Sequence, residues 1–163
     1  MAVVMGATYP DLFAAVGVHS GLAYRAANDV VTAFAAMRGD VIATRAILRS
    51  SAMSEAFPLL RTIVFHGSAD KTVHPKNAYP IISETAARAD VRADLDEQGW
   101  AGGRAYLRKA FVGLDGHAAV EYWLVQDAGH SWCGGDPNGS FTERLGPNAS
   151  AEMVRFFLAS ALT

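Results

Sequence analysis

The run Thr62-Ile63-Val64-Phe65-His66 is continuous, apolar, β-branched and aromatic. A strand with one wet face alternates polar and apolar residues, and this one does not. It therefore needs cover on both faces, as in a parallel sheet flanked by helices. A second apolar run, Leu12 to His19, closes at Ser20-Gly21 and fits another buried strand. Ala105 to Val112 and Ala119 to Gln126 read as strands joined by a turn at Gly113-Leu114-Asp115-Gly116, a hairpin that would make the sheet locally mixed. Helices are expected over Ala26 to Arg38, Val41 to Ala56, Pro75 to about Ala89 with a disturbance at Pro80, and Ala151 to Leu162 with Asn148 or Ser150 as cap. Met1 to Thr8 reads as the end of an apolar helix stopped before Pro10, and Asp90 to Gly103 as polar and irregular. Strands interleaved with helices give an α/β fold, a mostly parallel sheet with helices on its faces.

The whole chain bounds what such a sheet can serve. Its 163 residues are 51% hydrophobic and only 18% charged. Soluble domains average about 25% charged, and a small one has proportionally more surface to cover. Disorder is excluded by the apolar content. A net charge of −2 argues against nucleic acid as a partner, because phosphate binding needs a positive field. No apolar run approaches the ~20 residues of a membrane span. The N-terminal ten residues lack the basic segment of a signal peptide. One cysteine, Cys133, rules out an internal disulfide or a multi-cysteine metal site.

Two loops place a catalytic type of residue just past an apolar strand. Asp70 follows the Thr62–His66 strand, and His130 follows the Ala119–Gln126 strand. In open α/β sheets ligands bind at that carboxyl edge. A carboxylate can orient an imidazole, which then serves as general base toward a hydroxyl. Taken alone, Asp70 is equally a turn residue and His130 a hydrogen-bonded loop residue. Together, Asp before His fits the chain order of hydrolases that use Ser, Asp and His. A metal site at His66, Asp70 and His74 is disfavoured, because Gly67 and Pro75 bracket a loop rather than a helix. His19 and His117 read as single polar residues without a role, and Trp100 and Trp123 as packing residues.

Several segments carry a resemblance. They are Tyr9 to Gly21, Ala33 to Gly39, the loop Phe65-His66-Gly67-Ser68-Ala69-Asp70-Lys71-Thr72-Val73, Ala128-Gly129-His130-Ser131-Trp132-Cys133-Gly134-Gly135, and Gly146-Pro147-Asn148-Ala149-Ser150 before an aromatic helix. In this order they resemble the polyhydroxybutyrate depolymerase-type esterases of the α/β-hydrolase superfamily. The resemblance implies that Asp70 and His130 are the acid and base of a triad, with Trp132, Gly134 and Gly135 bordering the substrate cleft. It implies an ester substrate (a hydroxyalkanoate polyester or oligomer, or a feruloyl or acetyl ester), no cofactor, and an extracellular location. Cys133 departs from the pattern, where a small polar residue such as Ser is expected.

The family's nucleophile stands in a G-x-S-x-G elbow, and no serine here has glycine at both offsets. By resemblance the elbow would fall a few residues before Met1, and 1–163 would be an incomplete esterase domain carrying acid and base without nucleophile. Ser20 lacks the strained turn that would present its hydroxyl, and Cys133 lies too near His130 in sequence for an in-line pair. The alternatives are a non-catalytic remnant or pseudoenzyme, or a peptidase or dienelactone-type hydrolase on the same fold. A divided core would account for the low charge and predicts an exposed apolar sheet edge prone to aggregation.

Overall fold

The computed structural model describes residues 1–40 and 60–159. Its elements are α1 (Ala2–Thr8), β1 (Ala15–His19), α2 (Val30–Met37), β2 (Arg61–Gly67), a 3-10 turn (Pro75–Asn77) leading into α3 (Ala78–Arg88), β3 (Arg92–Ala101), β4 (Arg104–Val112), β5 (Ala118–Val125), β6 (Trp132–Cys133), β7 (Thr142–Glu143) and α4 (Ala149–Leu158). The helix expected over 41–56 lies outside the described residues, as does the end of the last helix beyond residue 159.

Five strands form one mixed sheet in the order β1-β2-β5-β4-β3. β1, β2 and β5 are parallel, and β4 and β3 continue antiparallel from β5. The expected α/β architecture is therefore present, with β2 between two parallel neighbours. Successive side chains of β2 enter opposite layers. Val64 packs with Val16, Val18, Val120 and Tyr122 beneath Ile81 and Ile82 of α3. Ile63 and Phe65 pack with Trp123 and Val125 beneath Met153 and Phe156 of α4. Burial of each such large side chain contributes about 1.5–3 kcal/mol. Gly17 lets α4 lie close to β1, since a Cβ there would fall 2.8 Å from Met153 Sδ.

Helix starts follow their caps. Asp29 accepts the Thr32 N–H at 2.8 Å, so α2 begins at Val30 rather than Ala26. Asn148 accepts the Ala151 N–H at 3.0 Å, which settles the choice of cap for α4. Pro80 falls in the first turn of α3, where its missing N–H has no intrahelical partner to lose, and the helix runs through it. β1 starts at Ala15, leaving Leu12 and Phe13 exposed ahead of it.

The segment expected to be irregular, Asp90 to Gly103, is instead mostly the edge strand β3. Its polarity belongs to an edge, where charge opposes pairing with another chain. Gly102 and Gly103, with φ of +54° and +81°, form the tight turn into β4, the backbone that a two-residue hairpin requires. Opposite charges then meet across the pair: Lys109 Nζ lies 2.8 Å from Asp96 Oδ2, and Arg108 Nη1 lies 3.2 Å from Glu97 Oε2.

Arg108 also grips Glu121 of β5 through both carboxylate oxygens, each at 3.1 Å. Glu121 is buried, and it further accepts the indole N–H of Trp123 at 2.8 Å and an ion pair from Arg155 of α4. The last helix is thus tied to the sheet by charge as well as by its apolar face.

Candidate active site

Both catalytic candidates stand at the carboxyl edge of the parallel strands. β2 ends at Gly67, where a Cβ would sit 2.3 Å from Ala128 O, so only glycine lets the loops after β2 and β5 touch. Those loops are laced together by backbone bonds, Ser68 N–H to Val125 O at 2.9 Å and Ala69 N–H to Ala128 O at 3.0 Å. The Ser68 hydroxyl accepts the Asp127 N–H at 2.9 Å and so ties the loops.

Asp70 is buried at the tip of this junction. Its Oδ1 accepts the backbone N–H groups of Thr72 and Val73, each at 2.9 Å. Its Oδ2 lies 2.8 Å from His130 Nδ1. Burial works against its charge, but the bond from His130, the Val73 and Thr72 N–H groups and the nearby Ser20 hydroxyl outweigh it and hold the carboxyl below the usual carboxylate range. The His130 side chain is 36% exposed, against 0% for Asp70. With Nδ1 committed to Asp70, Nε2 is the atom that can take a proton from a nucleophile. The structure thus brings together the two residues that the sequence placed on separate loops.

Two further histidines surround the pair, and sequence reading gave neither a part in it. His66 is wholly buried at the end of β2, with Nε2 2.7 Å from Val73 O and 3.4 Å from Asp70 Oδ2. His19 ends β1, stacked between Phe65 and Trp132 at ring-centroid distances of 5.9 and 5.0 Å. Its Nε2 accepts the Cys133 N–H at 3.2 Å, which fixes the loop three residues beyond His130. Burial, reinforced by His66 and His130 and offset by Asp70, pushes the His19 pKa down to about 4. The available signal was position: each histidine terminates an apolar strand at the same edge as Asp70 and His130.

Trp132 is half-buried against His19 and donates its indole N–H to Ser150 Oγ at 3.1 Å. Gly134 has φ +67°, and a Cβ there would sit 2.4 Å from Asn148 Cα. Gly135 donates its N–H to Glu143 O at 3.0 Å. Gly134 seats the Trp132 loop on the start of α4, and Gly135 ties it to β7. Cys133 is buried 3.4 Å from His19 Nε2, and burial pushes its thiol up to about 12, far from a reactive thiolate. Ser20 does carry the backbone strain that its sequence did not announce, with φ +52°. Its Oγ is nonetheless buried, near Asp70, and without a partner in bonding geometry among the described residues. His74 does not join His66 and Asp70 in a common sphere, since its Nδ1 accepts the Lys76 N–H at 3.1 Å.

Comparison with known proteins addresses the fold and the family. A solved acetyl xylan esterase from Aspergillus awamori superposes with a TM-score of 0.59 over 96% of this chain and 54% of its own, at 19% identity. That likeness establishes the fold, an α/β-hydrolase type. Poly(3-hydroxyalkanoate) depolymerase C of Paucimonas lemoignei is 28% identical over 134 residues, 80% of this chain and 32% of the relative. A probable acetylxylan esterase A of Neosartorya fischeri is 36% identical over 92 residues, 51% of this chain and 25% of the relative. The chain thus spans about a third or less of the length of these curated relatives. The family model described as Esterase PHB depolymerase matches residues 1–106, and by that match the chain belongs to the PHB depolymerase-type esterase family.

Proposed function

We propose that the chain carries the acid–base pair of a serine carboxylester hydrolase. The observation that carries this reading is the 2.8 Å contact between His130 Nδ1 and a buried, doubly N–H-anchored Asp70. In this mechanism a serine hydroxyl attacks the ester carbonyl while His130 Nε2 takes its proton. His130 returns that proton to the leaving alkoxide, and water releases the acyl group by the same route. Asp70 holds the imidazole in the Nδ1–H tautomer and stabilises its charged form. The scheme needs no cofactor. Trp132 forms a wall of the cleft, held in place by Gly134 and Gly135.

Two relatives are named for hydroxyalkanoate polyester and for acetylated xylan, and hydroxyalkanoate or related short-chain esters are the substrates proposed here. Secretion is proposed on the same family ground. The attacking serine is not among those of this sequence, because none stands in G-x-S-x-G and Ser20 Oγ is buried beside Asp70 rather than offered to solvent. The test is hydrolysis of a short-chain p-nitrophenyl ester by the purified chain, with no turnover above the His130→Ala background as the expected result. Turnover lost in His130→Ala would show a nucleophile within the chain, and Ser20→Ala would then tell whether it is Ser20. Turnover insensitive to both would overturn the acid–base assignment.

A further inference from the structure

His66 is fully buried in the α3-side layer of β2, four residues before Asp70, and the proposed mechanism gives it nothing to do. Its contacts close a ring around the catalytic carboxylate. Val73 donates its N–H to Asp70 Oδ1 at 2.9 Å, while its carbonyl lies 2.7 Å from His66 Nε2. A carbonyl only accepts, so the imidazole proton sits on Nε2. The other nitrogen, Nδ1, is buried and has no hydrogen-bond partner among the described residues, as a bare lone pair allows. The same Nε2–H flanks Asp70 Oδ2 at 3.4 Å, on the oxygen that receives His130. One residue of the Asp70 turn is therefore gripped at both ends of its backbone, by the carboxylate it supports and by an imidazole from the strand.

We propose that His66 is a positioning residue for the Asp70–His130 pair, its Nε2–H pinning the turn that aims the carboxylate at His130 Nδ1. This rests on the reading of Asp70 and His130 as an acid–base pair. The role requires a neutral ring, since an imidazolium 3.4 Å from Oδ2 would compete with His130 for the same charge. Burial is the largest effect on His66 and disfavours its charged form; the Val73 carbonyl and Asp70 favour that form, and His130, His74 and His19 oppose it. The hydrogen bond to Val73 is what selects histidine over an apolar residue at a site this dry, and it accounts for a buried polar ring at the end of a strand, directly after the apolar Ile63, Val64 and Phe65.

The test uses the full chain labelled with nitrogen-15 and reads, at one fixed pH, the imidazole tautomers and the Nδ1–H proton signal of His130. In the wild type, His66 is expected to be protonated at Nε2; an Nδ1–H tautomer overturns the proposal. His66→Leu keeps the volume and removes the donor, so the His130 Nδ1–H signal should lose its downfield, carboxylate-bonded position as the carboxylate loses its aim. His66→Gln keeps an N–H near the Nε2 position and should restore most of that position. A signal that is unchanged in folded His66→Leu overturns the proposal. If His66→Leu does not fold, the wild-type tautomer and the His66→Gln signal decide alone: a wild-type position supports the proposal, and a displaced one overturns it. Asp70→Asn separates the two readings. If it leaves the His130 signal unmoved, the acid–base pair itself fails and this proposal with it; if it displaces the signal while His66→Leu does not, only the role of His66 fails.

Discussion

His130 Nδ1 and Asp70 Oδ2 are 2.8 Å apart, with one partner open to solvent and the other sealed from it. That asymmetry supports the proposed roles, because the buried carboxylate is sealed from solvent and the imidazole is open to it. Asp70→Asn keeps the side-chain shape and an oxygen for the Thr72 and Val73 N–H groups, but it presents an amide donor to Nδ1. The expected outcome is a reversal of the His130 tautomer to Nε2–H. Nitrogen-15 shifts of the imidazole report it. An unreversed tautomer would mean that the contact does not orient the ring.

The pair depends on two loops meeting at Gly67. A methyl group there has no room, with Ala128 O and Gly129 O both within 2.6 Å of the Cβ position and both belonging to backbone. Gly67→Ala is therefore expected to cost about 2–3 kcal/mol in urea unfolding and to broaden or shift the His130 resonances, since the loops must part. Gly129→Ala is the control, because a Cβ there meets nothing within 4 Å, and it should cost less than about 1 kcal/mol. Equal losses for the two variants would contradict the argument.

His19 gives the fold a pH dependence of definite sign. Its ring takes up a proton at about pH 6.5 when unfolded but only near pH 4 when folded, because burial disfavours the charged form. Between those values the unfolded chain binds more protons, so stability falls as pH drops from 6.5 to 4, by on the order of 3 kcal/mol, and this contribution is flat below pH 4. His66, also lowered by burial, adds to the same slope. Asp70, held low, adds its own loss only below the ordinary carboxylate value of 3.8. His19→Gln retains an acceptor for the Cys133 N–H and should flatten the dependence of the urea midpoint between pH 6.5 and 4; an unchanged slope would count against the assignment.

What sequence could show depended on how far apart the deciding groups lie. The buried strands were legible because Ile63, Val64 and Phe65 are apolar in succession, a local property. Asp70 and His130 were legible as residues just past strand ends, a position that topology converts into proximity. The charge of β3 hides it as a strand, although Gly102-Gly103 flanked by acidic residues on one side and Arg108-Lys109 on the other marks a hairpin. His19 and His66 escaped because their partners, Cys133 and Val73, contribute backbone groups, and a backbone N–H or carbonyl carries no residue signature. Ser20 shows the same limit, since its positive φ is set by the chain around it.

β1 is the outer parallel strand among the described residues, and Leu12, Val30, Val31 and Phe34 are exposed. An outer strand and exposed apolar side chains each favour association. The purified chain is expected to enhance the fluorescence of a hydrophobic dye and to elute in sedimentation or size-exclusion experiments above its 17.3 kDa mass as concentration rises. A dye-silent monomer with a sharp, reversible melt would rule this out.

The ion cluster on β5 should show unequal dependence on its members. Glu121 has a 1% exposed side chain and faces Arg108, Arg155 and the Trp123 N–H, so its charge is shared by three donors that lose their acceptor together. Glu121→Leu leaves two guanidinium groups with a diminished counter-charge and an indole N–H unpaired, which is expected to cost about 3–5 kcal/mol. Arg155 is 43% exposed and keeps water as an alternative partner, so Arg155→Ala should cost no more than about 1 kcal/mol, less at high salt. Arg108 lies between these, since it is 23% exposed and also bonds Glu97. The double variant Glu121→Leu/Arg108→Met should be more stable than Glu121→Leu alone, because removing the cation that the missing carboxylate exposes relieves part of the penalty. Additive losses in that cycle would show that the two side chains do not act as a pair.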